Sequence, residues 1–152
     1  MKLSRRGLYA LKALLVLADQ AGTDVVKIQF ISDREKIPQK FLESILVTLK
    51  NARIVESARG AMGGYRLKRP ADDIYLGEVV RLMDGPLAPF ADAAELHRLS
   101  TEQDSAHQGL FSILLDVRNA AARILDTTSL SDVLKRTQTM SRPRVEAAET
   151  DE

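Results

Sequence analysis

The 152-residue sequence predicts a mainly α-helical chain that carries one small β-hairpin. Three observations predict it. Apolar residues recur at helical spacing through most of the chain. A glycine-rich tip separates two short β-type runs, Ile54-Val55-Glu56-Ser57 and Tyr65-Arg66-Leu67-Lys68. Far downstream, Leu110, Leu114, Val117, Ala121 and Ile124 follow the 4-3-4-3 spacing of a helix–helix seam.

Ser4 is an N-cap candidate for a first helix over 5–21, in which Leu8, Leu11, Leu15 and Ala18 line one face and Gly22 closes the end. Thr23-Asp24 reads as a turn, and Val25-Val26 leads into a second helix over Ile28–Glu35. Pro38 ends that helix, because proline disfavours helical geometry in the residue before it. A third helix over Gln39–Asn51 is two-faced: Phe41, Leu42, Ile45, Leu46 and Leu49 form the apolar stripe, and Gln39, Lys40, Glu43, Ser44 and Lys50 lie largely opposite. Next comes the hairpin, whose three closely spaced glycines allow positive φ and leave no bulk at the tip. A short helix, a tight turn, a two-faced helix and then a hairpin are the parts of a winged helix-turn-helix. In that arrangement the polar face of the third helix is free to enter a major groove, and Arg59 at the hairpin edge can reach a narrow one.

Beyond the hairpin, Pro70–Asp73 reads as a turn, Ile74–Leu76 as extended and Gly77–Met83 as a helix, which closes a first domain over 1–85. Residues 86–106 read as a polar connection with one irregular helical turn, and residues 107–137 as a long dimerisation helix followed by a short helix over Leu130–Arg136, capped by Thr128 or Ser129. In the long helix Leu110, Leu114, Val117, Ala121 and Ile124 make one stripe, and Phe111, Leu115 and Ala122 widen the apolar face. One stripe then serves the chain's own core and the other a partner subunit. Residues 138–152 read as a disordered, Ala/Glu-rich tail.

Charge supports the same assignment. Residues 1–70 hold 14 Lys/Arg and 6 Asp/Glu, a net of +8; residues 71–152 hold 8 and 15, a net of −7. A basic half suits an anionic polymer, with the acidic remainder held off it. No run reaches the roughly 18 apolar residues of a membrane span, and the apolar stretch 8–18 lacks a cleavage site, so a cytoplasmic chain is expected. Enzymatic chemistry finds no support: there is no cysteine nucleophile, no phosphate-binding glycine loop, and neither of the two histidines sits in a catalytic pairing.

Four segments resemble the Rrf-type family of bacterial winged-helix transcription regulators, the group of IscR, NsrR and CymR. They are Met1-Lys2-Leu3-Ser4-Arg5-Arg6-Gly7-Leu8-Tyr9-Ala10-Leu11, Ile37-Pro38-Gln39-Lys40-Phe41-Leu42-Glu43, Ser57-Ala58-Arg59-Gly60-Ala61-Met62-Gly63-Gly64-Tyr65-Arg66-Leu67 and Leu125-Asp126-Thr127-Thr128-Ser129-Leu130, in family order and spacing. The resemblance implies a homodimer of winged helices on double-stranded DNA with a palindromic operator. It implies base-edge contacts from Gln39, Lys40 and Glu43, with Glu43 either accepting from a cytosine amino group or pairing with Lys40 or Lys50. It places Arg59 in the minor groove, with Gly63 and Gly64 permitting close approach, and Tyr65 either on a phosphate or bracing the wing. Ser4, Arg5 and Arg6 match a segment near the DNA backbone, which contributes affinity without sequence information.

Two departures concern packing. Arg53 stands where the family usually has glycine, which either strains the helix end or adds a phosphate contact, and Phe30 replaces a usual polar residue, which implies extra packing near the first helix. The third is chemical. Many members ligate an iron–sulfur cluster through three cysteines, and this chain has none. At about the expected spacing stand Asp92, Arg98 and Asp104, then His107, with His97 nearby. Clusters are held mainly by thiolates, and arginine is no ligand, so these residues read as polar loop and cap positions; neither cofactor nor metal is expected, and thiol switching is excluded. Cysteine-free relatives respond to a partner protein, with cysteine synthase as precedent, or to a small molecule. The alternative to DNA reading is a module that keeps the winged fold and titrates such a partner.

Overall fold

Helix α1 (Arg5–Asp19) starts where Ser4 caps it: the Ser4 hydroxyl accepts a hydrogen bond from the Gly7 amide at 2.9 Å. Such a cap contributes about 1 kcal/mol. The computed structural model describes residues 2–22, 25–87, 93–102 and 106–142. After α1 come α2 (Ile28–Glu35), α3 (Gln39–Asn51), β1 (Val55–Ala58), β2 (Gly64–Leu67), a 3-10 turn (Ala71–Asp73), α4 (Leu76–Asp84), α5 (Ala93–Thr101), α6 (Gln108–Thr127) and α7 (Leu130–Ser141). The Thr23-Asp24 turn lies outside the described residues.

The predicted stripe of α3 is the centre of the core. Leu42, Ile45, Leu46 and Leu49 are fully buried with Ala13, Leu14 and Leu17 of α1, Ile31 of α2, and Ile37, Ile54 and Val55. Each such aliphatic side chain contributes about 1.5–3 kcal/mol on burial. Tyr9 meets Phe41 edge to face, with ring centroids 5.5 Å apart, which fastens α1 to α3. Lys36 ends α2 in the left-handed region, with φ 56°, and buried Ile37 then enters α3 through Pro38. Phe30 does not add packing on α1: it is 45% exposed, and its ring lies 5.9 Å from the Arg34 guanidinium.

The strands pair antiparallel in the register Val55↔Leu67, Glu56↔Arg66, Ser57↔Tyr65 and Ala58↔Gly64. Val26 pairs with β2 from outside the hairpin as an isolated bridge, exchanging two 2.8 Å backbone hydrogen bonds with Tyr65. At the other end of β1, Arg53 takes φ 59°, the left-handed conformation that favours glycine. The junction is therefore strained at the residue that departs from the family. Arg53→Gly is expected to raise the urea midpoint, stabilising the fold by about 1 kcal/mol; an unchanged or lower midpoint would show that the arginine side chain compensates.

The chain then returns to its beginning. The Leu76 amide donates to the Thr128 carbonyl and the Leu130 amide to the Ile74 carbonyl, both at 3.0 Å, and Leu130 is fully buried in the first core. Ser129 and Asp132 form a reciprocal capping box at the start of α7. Arg81 of α4 holds Asp126 of α6 with two hydrogen bonds of 2.5 and 2.9 Å, and buried Gly77 leaves the room for them, since a Cβ there would strike the Asp126 carboxylate. The hydrogen bond from Arg81 holds the Asp126 carboxyl below the usual carboxylate range, so the pair is charged at neutral pH.

Two segments differ from those read in the sequence. The polar connection contains a regular nine-residue helix, α5, which packs along α6 and buries Leu96. Arg98 there pairs with Glu95 and Glu102, a local support that hydrophobic periodicity does not register. Helix α7 runs on to Ser141, so residues 138–141, read as tail, are helical. The remainder of that tail, 143–152, lies outside the described residues.

Candidate nucleic-acid interface

With its stripe buried, α3 turns Gln39, Lys40, Glu43, Ser44 and Lys50 outward, all of them exposed. The two flanks of this face are tied down. On one side the Lys50 ammonium donates to the Ser57 hydroxyl of β1 at 2.7 Å. On the other, Arg6 of α1 donates to the Ser44 hydroxyl at 3.0 Å and the Thr48 hydroxyl at 2.7 Å. Glu43 forms no ion pair with Lys40 or Lys50, so the surface-pair role is not taken up in the free chain.

The N-terminal residues separate in role. Arg5 is exposed on the first turn of α1. Ser4 is committed to structure: beyond its capping bond, its amide donates to Asp84 Oδ2 at 2.9 Å and its hydroxyl donates to Asp84 Oδ1. Ser4 thus joins the start of α1 to the end of α4, and Arg6 in the first turn of α1 lies along α3. Asp84 and Thr48 have site-supporting roles that the sequence reading missed, because both act through partners distant in the chain.

The hairpin glycines divide in role within the protein. Of the three, Gly60 alone has positive φ, at 101°. Gly63 and Gly64 are needed for closeness within the protein: a Cβ on Gly63 would lie 2.5 Å from the Ala58 carbonyl oxygen, and one on Gly64 would collide with the Val26 carbonyl. They let the wing fold flat on itself and on the Val26 backbone. Tyr65 is half-buried against the core, the position of a brace. Arg59 is exposed at the tip and pairs with no carboxylate among the described residues. Between the wing and the starts of α2 and α3 runs a groove of about 440 Å³ whose lining includes Lys27, Gln29, Gln39, Arg59 and Tyr65. Lys27 and Gln29 were not singled out in the sequence, where nothing marks them apart from their place just before and within α2.

Helix α6 divides its apolar residues between two directions. Ala122 is buried and, with Leu125, packs on Val80 and Leu87. Leu110, Val117 and Ile124 of the predicted seam are 56%, 56% and 61% exposed, and Leu114, Ala121 and Phe111 are half-buried. Ile113, outside the predicted seam, joins the exposed stripe at 62%. Asp92 and Asp104 lie outside the described residues, while His97 and His107 are exposed.

This combination of a helix-turn-helix, a glycine-tipped wing and a long C-terminal-half helix is shared with known proteins. The family model Rrf2, described as an iron-dependent transcriptional regulator, matches residues 3–136. This chain belongs to the Rrf2 family. Among Rrf2 relatives, CymR of Bacillus subtilis is 30% identical over 133 residues, covering 88% of this chain and 89% of CymR. IscR of Cereibacter sphaeroides is 34% identical over 138 residues, covering 89% and 88%. The solved structure of B. subtilis CymR, titled the global cysteine regulator, superposes with a TM-score of 0.76 at 28% identity, covering 90% of this chain and 98% of CymR. That of T. potens IscR gives 0.74 at 28% identity, covering 93% and 92%. This Rrf2 member is a DNA-binding transcriptional regulator with a winged-helix fold, and not an enzyme. Among the described residues no helix is long and apolar enough to cross a membrane.

Proposed function

We propose that this chain is a homodimeric, sequence-specific repressor that acts in the cytoplasm on a palindromic operator. The observation that carries this reading is the exposed polar face of α3, set between Arg6 on one flank and the Arg59 wing on the other. Gln39, Lys40, Glu43 and Ser44 meet base edges in the major groove, where Glu43, unpaired on the helix, suits the amino group of cytosine. Arg59 enters the adjacent minor groove. Arg5, Arg6 and Lys50 neutralise phosphates and set register, while Ser4 contributes by capping the helix that carries the two arginines. Gly63, Gly64 and Tyr65 serve DNA indirectly, as the frame of the wing. Two copies meet along Leu110, Leu114, Val117, Ala121 and Ile124, with Phe111 at the edge of the contact, and the two α3 helices then fall on successive half-sites.

The regulator works without an iron–sulfur cluster, because the chain supplies no thiolate. Its signal is a partner protein or a small molecule. Binding of the purified chain to random-sequence and selected DNA tests the reading. Log affinity should fall steeply and linearly with log salt, with the selected site preferred over random DNA by at least about a thousandfold and the same affinity after anaerobic incubation with iron and sulfide. Equal, weak binding to every sequence would instead favour a module that titrates a protein partner.

A further inference from the structure

The polar face of α3 has an apolar residue at its middle. Val47 is 49% exposed, although it belongs to the helix that buries Leu42, Ile45, Leu46 and Leu49 completely. At 3.6 residues per turn it shares its side of the helix with Lys40, Glu43, Ser44 and Asn51. Its position is bounded by two fixed contacts. Lys50 to Ser57 marks the wing-ward edge of the face, and Arg6 to Ser44 and Thr48 marks the edge toward α1. Val47 lies between those edges, away from the core stripe and from the exposed face of α6.

A single exposed valine on a protein surface ordinarily needs no explanation. This one occupies the centre of the surface whose other members are charged or hydrogen-bonding, on the helix that the proposed function places in the major groove. In that groove the one apolar group a base pair displays is the C5-methyl of thymine. A β-branched side chain has few rotamers to lose and two methyls to offer. We propose that Val47 is a specificity-determining residue that reads a thymine methyl in each half-site. It lies one helical turn beyond Glu43, about 6 Å along the axis, and base pairs rise about 3.4 Å. The thymine it reads therefore falls one or two base pairs from the pair that faces Glu43.

This inference rests on the reading of α3 as the recognition helix, and the test separates the two. An operator is first selected from random DNA with the full-length chain, then resynthesised with deoxyuridine in place of thymine, one symmetric pair of positions at a time. Deoxyuridine keeps the base pair and removes only the methyl. The parent should lose about threefold to tenfold in affinity at one position per half-site, as expected for one to two buried methyl contacts per site. Val47→Ala, an exposed substitution whose folding is checked by thermal melting, should bind thymine and deoxyuridine equally at that position. Equal binding by the parent at every position, or discrimination that persists in Val47→Ala, overturns the inference and leaves the recognition helix standing. Failure to select any operator removes both.

Discussion

Arg59→Ala should lower affinity for the selected operator by about 1–3 kcal/mol, or roughly fivefold to 150-fold. The loss should be greatest at sites whose flanks are A·T-rich, because a narrow minor groove concentrates negative potential and draws an inserted arginine. Arg59 is exposed and pairs with no carboxylate among the described residues, so its removal leaves no buried group unsatisfied and the fold should be unchanged. Gly60 turns the chain directly after it, and Gly63 and Gly64 keep the loop thin. Arg66, one strand away, pairs with Glu56 at 2.6 Å and is the matched control: its alanine variant should lose far less. Fluorescence anisotropy over a series of flanking sequences measures both. An Arg59→Ala variant that binds like the parent would mean that the tip stays out of the groove.

The second large effect belongs to α6. Val117→Glu should convert the protein to a monomer at micromolar concentration and reduce affinity for the full palindrome by at least about a hundredfold, through the loss of the effective concentration that links two half-site contacts. Val117 sits midway along a stripe in which Leu110, Ile113 and Ile124 are also more than half exposed. Within one chain the new carboxylate would be solvated, so circular dichroism should show unchanged helix content. In a two-fold contact it would be buried near its own symmetry mate, at a cost of several kcal/mol. Sedimentation equilibrium reads the outcome, and a variant that remains dimeric would move the subunit contact elsewhere.

The parts of this molecule that were legible in sequence are those fixed locally. The α3 stripe, the Pro38 break, the Ser4 cap and the glycine-rich tip each depend on neighbours a few residues away, and each stands where the pattern put it. Arg53 was legible too, as an arginine in a glycine's place. What escaped depends on partners far along the chain. Nothing near Ser4 reveals that its hydroxyl answers Asp84, and nothing near Arg6 reveals that it lies along Ser44 and Thr48. The internal role of Gly64 escaped for the same reason: its neighbour is the Val26 backbone, so sterics within the protein require glycine there. Helix α5 was hidden because it has little periodic apolar signal of its own: it buries Leu96, packs along α6 and carries surface pairs of Arg98 with two glutamates.

Leu130 carries a consequence for how the protein moves. It belongs to α7, after the long helix, yet it plugs the core built by α1, α2 and α3, while Arg81 and Asp126 rivet α4 to α6 just before it. The winged-helix head and the arm that carries the apolar stripe are thus welded at the arm's far end. A cut after residue 85 would remove a core side chain, so the head is not a portable module. Because head and arm form one body, a shift at the subunit contact of a paired molecule would carry both heads with it, like the legs of a pair of calipers.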